Sequence, residues 1–177
     1  MARHYVSPAR AASAARTRQA ILRAARSLLR EGGRPSVGAI ASLAGVSRLS
    51  VYHHFGSTAG VGAAVAGEAK AAPALSRPDL RSLLEAAVRH WATDPPLFRR
   101  LPEAPAAPHD ELRDLTARLA TEDRLRPGCS IKEVEDVLSI LTSFSAFDRL
   151  HQDGRRSTVA VTEILVRMAG SILNRQS

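Results

Sequence analysis

The chain has 177 residues, with 25 Lys+Arg against 17 Asp+Glu, a formal net charge of +8, and a single cysteine, Cys129. One cysteine excludes an intramolecular disulfide and a cysteine-rich zinc site. A hydrophobic content of 45 % excludes a wholly disordered chain. The distribution of the charge says more than its size. Residues 1–56 carry nine arginines (Arg3, Arg10, Arg16, Arg18, Arg23, Arg26, Arg30, Arg34 and Arg48) against one acid, Glu31, whereas residues 57–177 balance 16 basic with 16 acidic residues. The whole excess sits in the first third, the pattern of a polyanion-binding head on a neutral body. Nucleic acid is the first candidate partner and an anionic membrane surface the second. No apolar run reaches the roughly 18 residues of a membrane span. The stretch Met1–Arg18 has charge but no apolar core, which points away from a signal peptide and toward a cytoplasmic location. Only Lys70 and Lys132 are lysines. That bias is typical of a GC-rich coding sequence and weakens any argument from arginine alone.

Strand signals are nearly absent and helical periodicity recurs, so the expected fold is all-α, with about nine helices. Residues 1–15, rich in Ala, Arg and Ser and containing Pro8, are expected as a flexible arm. A first helix is predicted over Thr17–Arg30, where Ile21, Leu22, Ala25, Leu28 and Leu29 fall within an arc of roughly 120° at about 100° per residue, ending at Gly32-Gly33. Ser36 caps a second helix with Val37, Ile40, Ala41 and Leu43. Gly45 breaks it, and Ser47 caps a third helix, Arg48 to about His54. A fourth opens at Gly56-Ser57 and runs to about Lys70. After a break at Pro73–Pro78 the pattern predicts a helix over Asp79–Trp91, a short segment at Leu97–Leu101, a proline-rich loop, and a helix over Asp110–Leu125. Ser130-Ile131-Lys132-Glu133 reads as a capping box opening a long helix to about His151. The last helix is predicted over Thr158–Asn174.

The second and third helices with a glycine turn between them form a helix-turn-helix pattern. Ile40, Leu43 and Val46 need an apolar partner, and Val51 and Phe55, four apart on the third helix, supply it. With that face inward, Leu49 and His53 point outward, Ser50 and Tyr52 flank them, and Arg48 lies nearer the base. An outward leucine gains nothing on a solvated face but packs on a thymine methyl in a major groove; a tolerated surface leucine is the alternative. Base-reading candidates are therefore Arg48, Leu49, Ser50 and His53. Tyr52 has two readings, phosphate contact and packing, and His54 two, phosphate contact and stabilising its own helix end. Arg3 and Arg10 on the arm are minor-groove candidates. Arg16, Arg23, Arg26 and Arg30 form a stripe opposite the apolar face of the first helix.

Residues 17–65 resemble the DNA-binding domain of the TetR family of bacterial transcriptional regulators. The resemblance rests on Ala20-Ile21-Leu22 with Ala24-Ala25, Leu28-Leu29 before Gly32-Gly33, Ile40-Ala41, Ala44-Gly45-Val46-Ser47, and Val51-Tyr52-His53-His54-Phe55-Gly56-Ser57. It implies that the third helix reads DNA through Arg48, Leu49, Ser50, Tyr52 and His53. It further implies that Ser36, Val37, Tyr52, His54, Ser57 and Thr58 meet the phosphate backbone. Two positions depart from the pattern: Thr58 stands where the family usually has lysine, and Leu49 where it often has glycine.

The remainder matches only in being helical. The division expected is an arm over 1–15, a helix-turn-helix domain over 16–60, and a helical dimerisation and ligand domain over 61–177. The last helix carries one stripe of Val161, Ile164, Leu165, Met168 and Ile172 and another of Val159, Val166 and Leu173. The long helix before it is apolar nearly all round, from Val134 to Leu150, so both are expected to be buried on two sides. A two-fold dimer built as a four-helix bundle satisfies this, with Val159, Val166, Leu173, Phe147 and Leu150 at the interface. A ligand pocket is implied by the resemblance, with Trp91, Phe98, Phe144, Phe147 and Met168 as candidates and His90, His151 and Cys129 as polar options; packing in the core is the other reading of each.

No metal-ligand cluster, phosphate-binding glycine loop or nucleophile motif is present, so neither an enzyme nor a metal or cofactor is expected. The expected function is a dimeric transcriptional regulator on a near-palindromic double-stranded operator. Release by a small-molecule effector is the first reading of its control. The alternatives are control by a protein partner, an architectural role, and activation.

Overall fold

The computed structural model describes residues 8–70, 75–101, 109–122 and 124–173. Ten α-helices follow in order among them: α1 Pro8–Arg30, α2 Val37–Ala44, α3 Arg48–Phe55, α4 Thr58–Lys70, α5 Leu80–Ala92, α6 Pro95–Phe98, α7 His109–Thr121, α8 Ile131–Leu141, α9 Phe144–Asp148 and α10 Thr158–Ala169. A π-helical turn over Arg149–Asp153 follows α9. The described residues include an antiparallel bridge between Leu125 and Leu173.

The chain divides into two compact units, the first running to Ala69 and including Arg99–Leu101, the second made from Lys70–Phe98 and the residues after Leu101. In the first unit Ile21, Leu22, Ala24, Ala25, Ile40, Ala41, Val51, Val61 and Val65 are buried. α4 belongs to this unit, so the expected boundary at residue 60 falls inside a helix. Burial of Val61 and Val65 and the ion pairs of Glu68 with Arg18 and Arg26 hold α4 here.

α1 starts earlier than the sequence periodicity predicts. Residues 8–15, expected in a flexible arm, are its first two turns. Proline is tolerated in a first helical turn, and five of the eight residues from Ala9 to Arg16 are alanine, the strongest helix former. Arg10 is therefore helical, while Arg3 lies outside the described residues.

In the second unit, Leu83, Leu112, Leu115, Leu119, Val134, Leu138 and Ile172 make a buried cluster, on which Leu125, Val137 and Leu173 also pack. The capping box at the start of α8 forms as expected: Glu133 N donates to Ser130 Oγ at 3.2 Å, and Ser130 N donates to Glu133 Oε2 at 2.7 Å. The single long helix expected from there to His151 does not form. It breaks at Thr142-Ser143, because the Thr142 carbonyl is taken by the indole N–H of Trp91 at 2.8 Å and Ser143 Oγ accepts the N–H of Ala146. α10 ends at Ala169, short of the predicted Asn174, and the chain then turns so that Ile172 O accepts the N–H of Arg126 at 3.0 Å.

Candidate nucleic-acid interface

Short-range hydrogen bonds set the two helices of the candidate reading head. Ser36 Oγ accepts Ala39 N at 3.1 Å and starts α2. Gly45 ends it at φ +66°, a left-handed conformation that a β-carbon disfavours, and its N–H returns to Ala41 O and Ser42 O. Two residues on, Ser47 Oγ accepts Ser50 N at 3.0 Å and starts α3. The turn is thus closed by a cap, a glycine and a second cap. Val51, fully buried, anchors α3 beside Ile40, also fully buried, on α2. Phe55 is half-buried, with the Arg18 guanidinium carbon 5.2 Å from its ring centroid. Leu43, expected to face inward with Ile40, is 55 % exposed; Ile40 and Ala41 alone fill the buried side of α2.

Anchoring at Val51 leaves the opposite side of α3 in solvent. Leu49 is 77 % exposed and Tyr52 50 % exposed. Arg48 and His53 are exposed, and His54 is half-buried. The rings of His53 and His54 meet edge to face at 5.6 Å. Ser50 is less available than its position suggests, since its hydroxyl lies 2.9 Å from Ser47 Oγ and the residue is half-buried. Arg48 leans back over α2, where a β-carbon built on Gly38 would stand 3.2 Å from its guanidinium. Ser36, Val37, Ser57 and Thr58 stand at helix starts. Ser36 and Ser57 are exposed and Val37 and Thr58 half-buried, and Ser57 Oγ accepts Gly60 N at 3.0 Å. Gly60 of α4 lies against the end of α3: a β-carbon there would overlap the Phe55 carbonyl oxygen.

Of the arginine stripe on α1, Arg26 is not a solvated charge. Its Nη2 lies 2.7 Å from Glu68 Oε2, and Arg18 Nη1 lies 3.2 Å from Glu68 Oε1. Glu68 is 50 positions from Arg18 in the chain, and no local pattern links them. Arg10, Arg16 and Arg23 remain exposed.

The second unit gathers four of the five aromatic and sulfur pocket candidates, but as a packed cluster. Trp91 lies 4.7 Å from Phe98 and 5.5 Å from Phe144, ring centroid to centroid, and Phe144 lies 6.2 Å from Phe147. Trp91, Phe98 and Phe147 are each at most 5 % exposed. His90 meets Trp91 at 4.7 Å, and His151 stacks on Phe147 at 5.0 Å. Met168, expected beside them, is 51 % exposed, because the buried side of α10 is set by Val161, Leu165 and Ala169. A cleft of about 460 Å³ opens instead where Arg77, Glu111, Asp114 and Arg118 meet, with Glu111 Oε1 accepting Leu75 N at 3.0 Å and Arg118 donating to the Pro78 carbonyl.

Two of the five interface candidates are turned inward. Phe147 is 1 % exposed in its own chain's core, and Leu173 packs on the Leu83–Ile172 cluster. Val159 is 72 % exposed, Val166 is half-buried and Leu150 is half-buried as well. Ile140 on α8, at 65 %, is an exposed apolar residue outside the expected set.

Among the described residues no group of three or more His, Cys, Asp or Glu stands where it could hold a metal ion. No described helix is long and apolar enough to cross a membrane.

The family model for bacterial regulatory proteins of the TetR family matches residues 21–65, which span α1 from Ile21 through α4 to Val65. No curated protein matches the chain at significant similarity. Among solved structures, the fold is shared with NalD, the secondary repressor of the MexAB-OprM multidrug efflux pump in Pseudomonas aeruginosa, at TM-score 0.66 and 23 % identity over 94 % of this chain and 100 % of that one. TylP, a TetR regulator from Streptomyces fradiae, matches at TM-score 0.64 and 21 % identity over 90 % and 87 % of the two chains. SmeT, the repressor of the Stenotrophomonas maltophilia multidrug efflux pump SmeDEF, matches at TM-score 0.63 and 17 % identity over 89 % and 91 %. Residues 21–65 thus match the family's helix-turn-helix domain, and the all-helical fold of the chain is shared with these solved regulators.

Proposed function

We propose that this chain is a DNA-binding transcriptional regulator of the TetR family, a homodimeric repressor that acts in the bacterial cytoplasm on a near-palindromic operator. The observation that carries this reading is the pairing of Val51, fully buried, with Leu49, 77 % exposed, on one short helix. The same eight residues that lock α3 to α2 present an apolar side chain outward, where a thymine methyl would cover it. Tyr52 and His54 with Ser36, Val37, Ser57 and Thr58 supply the backbone contacts, and Arg48, Ser50 and His53 flank Leu49. Ser57 and Thr58 open α4, whose N-terminus favours a phosphate, although Thr58 brings no charge. The exposed Val159, Met168 and Ile140 are apolar residues that a second copy would cover, in company with Val166 and Leu150. Two copies place two third helices about one DNA turn or a little more apart. That NalD and SmeT are repressors supports the same role here.

Release by a small molecule fits the second unit in altered form. The aromatic residues fill one another's space, so a flat aromatic effector has no ready seat there. The cleft at Arg77, Glu111, Asp114 and Arg118 suits a polar molecule carrying charge of both signs. The packed aromatic cluster equally favours a second reading, a regulator without a small-molecule effector, controlled by a protein partner or working as an activator.

Selection of bound sites from random double-stranded DNA, with light scattering of the complex, tests the first part. Enrichment of a two-fold symmetric site bound by two chains is the expected result; no enrichment refutes the reading. Calorimetry with a panel of charged metabolites separates an effector-controlled protein from one without an effector.

A further inference from the structure

The first two turns of α1 reach out of the domain. Every residue from Ala9 to Arg16 is exposed, and burial begins with half-buried Thr17 and Arg18 and is complete at Ile21. A helical stretch this short, covered on no side, is marginal in water and gains its order from a partner or from the helix it extends. Its charge specifies the partner. It carries Arg10 and Arg16, Arg23 continues the line of Arg16 two turns on, and the chain has no acid before Glu31. The acid that reaches α1, Glu68, is taken by Arg18 and Arg26. Its position specifies the place. The Arg18 guanidinium lies over the ring of Phe55, the last residue of α3, so the projecting turns leave the domain beside the end of the reading helix and extend about 12 Å beyond it at 1.5 Å per residue.

We propose that residues 9–16 are a second DNA-binding element that lies along the phosphate backbone flanking each half-site, with Arg10 and Arg16 as its phosphate-binding side chains. The proposal rests on the DNA-binding reading above. It also changes the role of Arg10. A helix about 10–12 Å across does not itself enter a minor groove about 6 Å wide, so the proposal assigns Arg10 to the phosphate backbone, whose contacts carry no sequence information. Alanine is the largest apolar side chain on these turns, which gives a membrane interface little to bury. DNA is accordingly the favoured polyanion.

The test compares wild type with an Arg10→Gln/Arg16→Gln variant on an operator obtained by selection and on the same operator trimmed by about four base pairs at each end, a span of about 14 Å at about 3.4 Å per base pair. Folding of the variant is checked by circular dichroism and thermal midpoint. The expected result is weaker binding to the full operator and a salt slope shallower by about 1.8 per protomer, at about 0.9 for each phosphate no longer neutralised. The ranking of base substitutions within the half-site stays the same. Wild type on trimmed DNA should behave like the variant on full-length DNA. Equal affinity and salt slope for wild type and variant overturn the proposal, as does a loss that depends on the identity of the flanking bases. Co-sedimentation of wild type, but not of the variant, with phosphatidylglycerol vesicles alongside unchanged operator binding also overturns it, in favour of a membrane. Selection that enriches no DNA site at all refutes the DNA-binding reading itself and this proposal with it.

Discussion

Trp91 Nε1 donates to the carbonyl of Thr142 at 2.8 Å, just past the last residue of α8. Both residues are buried, at 2 % and 0 % exposure. In a continuous helix the Thr142 carbonyl would accept from residue 146. With the indole in its place, Ala146 N turns to Ser143 Oγ instead, and α9 starts afresh. The new axis brings Phe144 and Phe147 against the cluster that Trp91 and Phe98 begin.

Trp91→Phe keeps most of the apolar volume and removes the donor. The Thr142 carbonyl is then buried without its partner, which costs about 1–3 kcal/mol. Urea unfolding followed by circular dichroism should show a midpoint lowered to match. An unchanged midpoint would mean that the serine cap and not the indole sets the break.

In the proposed function the outward face of α3 divides into a residue that reads bases, Leu49, and one that holds backbone, Tyr52. Leu49→Ala should flatten preference at one base position of each half-site by about 1 kcal/mol, roughly fivefold. Affinity for sites already mismatched there should hardly change. Tyr52→Phe should weaken all sites alike, about tenfold, as expected for losing a hydrogen bond to a charged phosphate. Competitive titration against a set of single-base operator variants checks both. Unchanged base preference in Leu49→Ala removes it from the reading surface.

The helix-turn-helix is legible in the sequence because its signals are local. Ser36, Gly45 and Ser47 each act within three or four residues, and Val51 needs only the neighbouring helix. The capping box at Ser130 and Glu133 is legible for the same reason. What escapes depends on distant residues. The break at Thr142 is caused by a side chain 51 positions away. Once the helix breaks there, a face assigned on one continuous periodicity no longer holds, which is why Phe147 points into its own core. Met168 departs from expectation because a periodic stripe gives an arc without its edges. The neighbouring helices cover Val161, Leu165 and Ala169 and leave Met168 just outside. At residues 8–15 the lack of large apolar side chains hides a helix from any periodicity argument, whereas alanine alone suffices to form one.

Glu68 should restrain the charge of the head. It takes two arginines of α1, at side-chain exposures of 32 % for the acid and 43 % and 29 % for Arg18 and Arg26. Partial exposure screens the pairs, so Glu68→Gln should cost only about 1 kcal/mol of stability. It also adds one positive charge to the first unit and releases both guanidinium groups. Affinity for random-sequence DNA should therefore rise and its salt dependence steepen, although the protein is less stable. Weaker nonspecific binding in a folded Glu68→Gln protein would show that the pairs position the head more than they neutralise it.

Acid should remove a specific helix cap from the second unit. Asp79 Oδ1 accepts Ser82 N at 2.7 Å at the start of α5, and this backbone hydrogen bond, with a second from the Ser82 side chain, holds the carboxyl below its ordinary range. A group whose pKa falls on folding binds its proton more readily in the unfolded chain. Its stabilisation is present in full above the unfolded value, near 3.9 for aspartate, and is lost as pH falls through the lower folded value. Glu133, held down by the backbone and hydroxyl of Ser130, follows the same sign. Asp79→Ala should therefore cost about 1 kcal/mol at neutral pH. The gap from wild type should close progressively below about pH 4, where the wild-type carboxyl is itself neutralised. Urea titrations at neutral pH, at mild acidity and about one unit below the unfolded aspartate value measure the gap directly. A gap that persists undiminished at the most acidic point would assign the cost to the lost side-chain volume instead of the cap.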